Sequence, residues 1–292
     1  MKIILFSRRQ LPHTAGEICQ LFEAFRIFGF DYAVNEEFAP LAEELTGIRI
    51  PPEKIYGQCT GKQPANSVMV CYGGDGTLLE GVHRLCGAPI PVMGINAGHL
   101  GFLTSAPSAG LNLIFKEIAE GRLTTEARSM IEVTGNYAEQ PDTTLALNEF
   151  TVQRHGAGMI SVETYVDEQM VATYHGDGVI VSTPTGSTAY SLSAGGPVVA
   201  PTCQCLVISP LAPHNLTMRP VVIPDTGVIT LNVDARRADA FVTLDNRTYP
   251  VSHGASFTVE RAEQTIFLAV PHNISFYDTL RNKMMWGIDI RS

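Results

Sequence analysis

The sequence holds no apolar run approaching the ~20 residues that a membrane-spanning helix needs. Its opening stretch, Met1-Lys2-Ile3-Ile4-Leu5-Phe6-Ser7-Arg8-Arg9, has four consecutive apolar residues before two arginines. That is too little for a secretory leader and reads as a buried first strand. A cytoplasmic protein without a membrane partner is expected. Positive charge is also scarce: 20 Lys and Arg stand against 29 Asp and Glu, a formal net charge of −9. General nucleic-acid binding, which draws on a clustered basic surface, is thereby excluded. The same deficit constrains any phosphate site, which must use backbone N–H groups, a few local basic residues and a divalent cation.

Cysteine is sparse and scattered, at Cys19, Cys59, Cys71, Cys86, Cys203 and Cys205. The close pair Cys203 and Cys205 has no second pair to complete a tetrahedral metal site, so reduced thiols are expected. Asn-x-Ser/Thr triplets at Asn215, Asn246 and Asn273 read as chance in a chain without a secretion signal. The chain also lacks a P-loop, a dinucleotide G-x-G-x-x-G and the protein-kinase signature set.

What is present is an ordinary globular composition, 45% hydrophobic and 17% charged, long enough for two cores. Residues 1–125 alternate strand-like and helix-like stretches. Ile3–Phe6, Asp31–Val34, Val68–Tyr72 and Pro91–Ile95 read as strands. Ile18 to Phe28, residues 36–45, Leu78–Leu85 and Leu111–Ile118 read as helices, with Gly29 as a stop and 47–66 as a loop. That alternation implies an α/β domain with a parallel sheet. Residues 126–276, rich in Val, Ile and Thr with frequent turn residues, read as a β-rich, sandwich-like second domain. The tail 277–292, with a helix from Asp278 to Trp286, returns to the first domain, and Met284, Met285 and Trp286 read as packing residues.

The most informative stretch is Tyr72-Gly73-Gly74-Asp75-Gly76-Thr77, between a buried strand and a helix. In a parallel sheet this is the carboxyl edge, where ligands bind. The glycines leave room for a phosphate and permit positive φ angles that turn N–H groups inward, and the helix N-terminus adds an anion site. Asp75 would repel phosphate unless it orients an attacking hydroxyl and accepts its proton, or helps to hold magnesium. A tight turn in which Asp75 merely caps the helix accounts for the composition equally well.

Gly73-Gly74-Asp75-Gly76-Thr77 resembles the GGDGT motif shared by NAD kinases, lipid kinases of the diacylglycerol and sphingosine type, and their phosphofructokinase relatives. Three further stretches narrow the resemblance to NAD kinases. They are Asn96-Ala97-Gly98-His99-Leu100-Gly101-Phe102-Leu103, the pair Asn148-Glu149 after Leu147, and Gly176-Asp177-Gly178 running through Ser182-Thr183-Pro184-Thr185-Gly186-Ser187-Thr188-Ala189-Tyr190-Ser191-Leu192-Ser193 to Gly195-Gly196-Pro197. They lie in the family's order and cover about residues 70–200.

The resemblance implies an α/β nucleotide domain and a β-rich dinucleotide domain, with the active site between them, in a homodimer or homotetramer. It implies that ATP, or polyphosphate in some members, phosphorylates the adenosine-ribose 2′-hydroxyl of NAD with a divalent metal, Mg2+ foremost. Asp75 matches the proton acceptor. Gly73, Gly74, Gly76 and Thr77 match the phosphate turn, with Gly76 also touching the dinucleotide. Asn148 and Glu149 match residues holding the adenosine half, and Asp177 a carboxylate near the dinucleotide. Thr188, Ala189, Tyr190, Ser191, Leu192 and Ser193 match the adenine and ribose wall. Two departures stand out. His175 occupies a position where many bacterial members carry Lys or Arg, and Asp245-Asn246-Arg247 replaces Asp-Gly-Gln, so Arg247 is a candidate for the missing charge. Arg8, with Arg9 beside it, is a candidate contact for the donor phosphates. A lipid kinase and a non-catalytic dinucleotide sensor are the rival readings.

Overall fold

The computed structural model describes residues 1–9, 13–57, 66–85, 88–98, 101–104, 106–235, 239–272 and 274–287. Cys59, Cys86, His99, Leu100 and Asn273 lie outside these residues. The chain forms two compact units, one comprising Met1–Ala127 and Ile266–Ser292, the other Arg128–Thr265.

In the first unit the order is β1 (Lys2–Phe6), α1 (Ala15–Ile27), β2 (Asp31–Asn35), α2 (Ala39–Thr46), β3 (Ile55–Tyr56), β4 (Ser67–Gly73), α3 (Asp75–Arg84), β5 (Val92–Asn96), β6 (Ala106–Pro107) and α4 (Leu111–Ala119). The helix α1 starts where Thr14 and Glu17 form a capping box, a device worth about 1 kcal/mol. It ends before Gly29, whose φ of +66° suits glycine. The strands run parallel in the order β3-β2-β1-β4-β5. Order reverses between β1 and β4, the switch point at which doubly wound sheets bind ligands. Ser7 ties the strand ends there. Its N–H donates to Asn35 Oδ1 at 3.1 Å and its hydroxyl to the Tyr72 carbonyl at 2.6 Å. One face of the sheet (Ile3, Leu5, Val70, Met93, Ile95) packs against Phe25, Ala42 and Phe115 of α1, α2 and α4. Truncating a wholly buried ring such as Phe25 costs about 3–5 kcal/mol.

The chain continues with β7 (Thr124–Gly135), which begins in the first unit. In the second unit follow β8 (Leu145–Ala146), β9 (Glu149–His155), β10 (Ile160–Val166), β11 (Gln169–Gly176), β12 (Gly178–Ser182), α5 (Tyr190–Ser193), β13 (Cys205–Leu211), β14 (Val221–Pro224), β15 (Ile229–Asp234), β16 (Asp239–Leu244) and β17 (Arg247–Val251), then β18 (Ser256–Val270), which ends in the first unit. Antiparallel pairing gives two sheets, one containing β11-β10-β15-β18 and the other β14-β13-β12-β9-β16-β17. Val162, Leu231 and Phe257 from one sheet share a core with Val152, Val181 and Val242 from the other. This is a β-sandwich, as the Val/Ile/Thr texture predicts.

The chain ends, back in the first unit, with α6 (Phe276–Met284), started by a Ser275–Asp278 capping box. Met285 and Trp286 are exposed rather than packed within the chain.

Candidate active site

Of the three glycines in the turn after β4, only Gly73 has a positive φ. Gly74 is an extended N-cap and Gly76 is already helical. α3 starts at Asp75, which brings the N-terminus of the helix close to the sheet edge. Thr77 is buried, with its N–H donating to the Gly74 carbonyl at 2.9 Å.

Asp75 does not cap its own helix. Its carboxylate turns toward residues 101–104. Oδ2 accepts from the Phe102 N–H at 2.8 Å. Oδ1 accepts from the N–H groups of Leu103 (3.1 Å) and Thr104 (2.9 Å) and from the Thr104 hydroxyl (2.9 Å). Among the described residues three donors converge on Oδ1 and one on Oδ2, so Oδ2 is the less committed oxygen. Gly101 is obligatory here: a Cβ at that residue would lie 1.8 Å from Oδ1 and 2.4 Å from the Thr104 hydroxyl. Lys283 of α6 stands 3.7 Å from Oδ2. Arg8 turns onto α3, donating to Glu80 at 2.6 Å and to the Gly76 carbonyl at 2.7 Å.

In the second unit Asn148 and Glu149 are buried, about 6% and 7% exposed. They are aimed by Asp245, at the β16–β17 hairpin turn with a φ of +52°. Its carboxylate accepts from the N–H groups of Leu147 (2.9 Å), Asn148 (2.7 Å) and Glu149 (3.2 Å). Arg247 braces the same turn from the other side, donating to the carbonyls of Thr143 (3.0 Å) and Leu145 (2.5 Å). Its guanidinium is thus engaged with backbone.

The segment after β12 packs onto this pair. Thr183 N–H donates to the Asn148 carbonyl at 2.9 Å, and the Thr183 hydroxyl to the Leu147 carbonyl at 2.6 Å. Gly186 approaches so closely that a Cβ would meet the Asn148 carbonyl oxygen at 2.1 Å. Among the described residues, Asn148 Oδ1, Glu149 Oε2, Ser182 Oγ and Thr185 Oγ1 are buried without a hydrogen-bond partner. Burial, then the charge of Asp245, pushes the Glu149 carboxyl up to about 8, against an opposing donation from the Tyr190 N–H. Burial raises Asp245 as well, opposed by its three backbone donors and by Arg247.

The other expected residues fall nearby or apart. Thr188 and Ala189 close a short turn through the carbonyls of Thr185 and Gly186. Tyr190 is exposed and reaches Gln153 at 3.5 Å. Ser191 is buried against the Ser209 hydroxyl at 2.9 Å, whereas Ser193 is exposed and Leu192 half-buried. Asp177 pairs with Arg154 at 2.6 Å, and exposed His175 meets the Ser161 hydroxyl at 2.7 Å. Because Gly178 faces Gln153 while Ser182 faces Glu149, Asp177 lies five residues, roughly 17 Å at ~3.3 Å per residue, along the strand from Glu149. Sequence reasoning missed Phe102–Thr104 as donors, Lys283, Arg154 and the role of Asp245. The glycine in the first segment and the turn position of Asp245 were the available signals.

A doubly wound unit with a carboxylate fixed at its switch point, in one chain with a β-sandwich, is an arrangement suited to a two-domain nucleotide-dependent enzyme. A family model described as the ATP-NAD kinase N-terminal domain matches residues 55–123, and one for the C-terminal domain matches residues 147–270. The chain is 35% identical to an NAD kinase of Flavobacterium psychrophilum over 295 residues, covering 100% of both chains. It is 41% identical to one of Porphyromonas gingivalis over 224 residues, 76% of this chain and 77% of that relative. Among solved structures, an Archaeoglobus fulgidus NAD kinase in complex with ATP aligns with a TM-score of 0.72 at 25% identity, covering 98% of each chain. Yeast NADH kinase complexed with NADH shares the fold at a TM-score of 0.82 and 20% identity, covering 100% of this chain and 89% of that one. The chain belongs to the NAD kinase family.

Proposed function

We propose that this chain is an ATP-dependent NAD kinase that transfers the γ-phosphoryl group of ATP to the 2′-hydroxyl of the adenosine ribose, giving NADP. The observation that carries the reading is the state of Asp75. Four donors hold its carboxylate, three on Oδ1 and, among the described residues, one on Oδ2, so Oδ2 is the oxygen better able to receive a further donor. An acceptor hydroxyl donating there is oriented for in-line attack, and in a loose phosphoryl-transfer transition state its proton leaves late. Asp75 thus supplies position first and proton acceptance second.

The orphaned oxygens of Asn148, Glu149 and Thr185 support a polar ligand that donates hydrogen bonds, as ribose hydroxyls and an adenine amino group do. Tyr190 and the pair Asp177–Arg154 extend that surface far enough along β12 to suit a dinucleotide rather than a single nucleoside. Arg154 is a nearby source of positive charge for its phosphates, and His175 a nearby hydrogen-bonding ring.

Among the described residues no three His, Cys, Asp or Glu side chains could cage a metal ion. Mg2+ would be held in the usual kinase manner, chiefly by the donor's phosphates and water, with little call on protein carboxylates. Bound there, it would neutralise phosphate charge. No helix among the described residues is long and apolar enough to cross a membrane, and a cytoplasmic dimer or tetramer completes the proposal.

The test is direct. Purified chain with ATP, Mg2+ and NAD should form NADP, and Asp75→Asn should bind NAD with turnover lowered about 10³-fold. Absence of NADP from the wild-type reaction, with NAD still bound, would favour the sensor reading, and phosphorylation of a diacylglycerol or sphingosine instead the lipid-kinase reading.

A further inference from the structure

Lys283 lies on a helix that none of the sequence motifs touches, yet its ammonium is beside Asp75. Both belong to the first unit. The capping box at Ser275 and Asp278 sets where α6 begins. Phe276 and Lys283, seven residues apart, then fall on one helix face. Phe276 packs on the Phe102 ring at 6.4 Å, and Lys283 Nζ sits 4.7 Å from the centroid of the same ring. Phe102 is also the residue whose N–H grips Asp75 Oδ2. The C-terminal helix therefore clamps the segment that holds the carboxylate.

The lysine's own hydrogen bonds are the telling feature. An ammonium has three donors. At 3.7 Å from Oδ2, Lys283 makes an ion pair longer than a hydrogen bond, and no described residue accepts one from it. Ion pairs this open to water add little to stability, and the cation–π contact with Phe102 fixes position rather than satisfying the N–H groups. By contrast, Arg8 and Arg84 are committed to Glu80, Glu36 and Glu37. In a chain of net charge −9, an ammonium that no described residue engages by a hydrogen bond, beside the less committed oxygen of Asp75, has a clear use.

We propose that Lys283 is a component of the phosphoryl-transfer site: its free N–H donors receive the oxygens of the phosphoryl group while Asp75 receives the attacking hydroxyl. The proposal rests on the kinase reading of Asp75. Charge that develops on phosphoryl oxygens during transfer would be met by a cation already in place, with no reorganisation at the moment of reaction.

The test uses the full chain, with NADP formation followed at varied ATP and NAD. Lys283→Met keeps the stem over Phe102 and removes the charge, and Lys283→Arg keeps the charge. K283M should lower kcat by about 30-fold or more, with the KM for NAD within about threefold of wild type. K283R should recover most of that loss. The thermal midpoint of K283M should stay within about 2 °C of wild type, as for an exposed pair. Wild-type kcat in K283M overturns the assignment of Lys283 and leaves the kinase reading intact. So does a loss that K283R fails to restore and that tracks a large fall in thermal midpoint, since the role would then be structural. If wild type forms no NADP while binding both substrates, the underlying reading fails and this proposal with it.

Discussion

Glu149 is a carboxyl that folding prefers to keep protonated, and Glu149→Gln removes its titration with almost no change of shape. In the unfolded chain the group titrates near its ordinary 4.5, and in the folded protein near 8. The folded state therefore binds the proton more tightly. This contribution to stability is complete below pH 4.5, declines as pH climbs, and is gone above about 8. At 1.36 kcal/mol per pH unit, the interval from 4.5 to about 8 amounts to about 5 kcal/mol. Glutamine is neutral throughout. The stability of E149Q relative to wild type should therefore improve by about 1.4 kcal/mol per pH unit from pH 5 toward 8 and then level off. Urea unfolding of both proteins without nucleotide, at pH 5, 6, 7, 8 and 9 (approximate settings bracketing the interval), measures that difference directly. Groups remote from Glu149 largely drop out of it, while Asp245, whose titration is coupled to that of Glu149, does not. Parallel stability curves over the whole range would refute the claim that burial and Asp245 hold this carboxyl protonated.

Two further outcomes are expected. Ribose hydroxyls donating to Glu149 select its ionised form, so NAD binding near pH 7 should release up to about one proton. Calorimetry in buffers of different ionisation enthalpy reads this, and E149Q should release none. Gly101→Ala places a methyl group where Asp75 Oδ1 and the Thr104 hydroxyl now sit. It should lower kcat about 100-fold by misplacing the carboxylate, with NAD affinity by calorimetry near that of wild type.

Much of the fold can be read from periodicity because burial alone sets it. The runs at Ile3–Phe6 and Val68–Tyr72 are apolar on both faces, as strands covered on both sides must be. The start of α3 was placed late, at Leu78, because Asp75 and Gly76 are poor helix formers. Tertiary bonds to Asp75, and from Arg8 to the Gly76 carbonyl, override that preference. Residues at the site separate in the same way. Asp75, Asn148 and Glu149 stand out in the sequence as polar side chains on motifs, whereas the donors that aim them are mostly backbone N–H groups, which carry no side-chain signature. Asp245 looks like a hairpin residue and is one, but its carboxylate also sets the Asn148–Glu149 segment. Lys283 lies in a tail whose relation to the glycine turn exists only in three dimensions.

The unsatisfied oxygens around Asn148 and Glu149 have a bearing on selectivity. A wall that merely matched the contour of its guest would tolerate any near-copy of similar size, because one missing contact costs little. In the proposed complex the guest's donors meet the buried oxygens of Asn148 and Glu149, so fit depends on which donors a guest brings. A molecule lacking one hydroxyl or amino group leaves a buried oxygen stranded, at about 1–3 kcal/mol each. Discrimination is then exercised by what an impostor fails to offer, and it is written into the protein before any guest arrives.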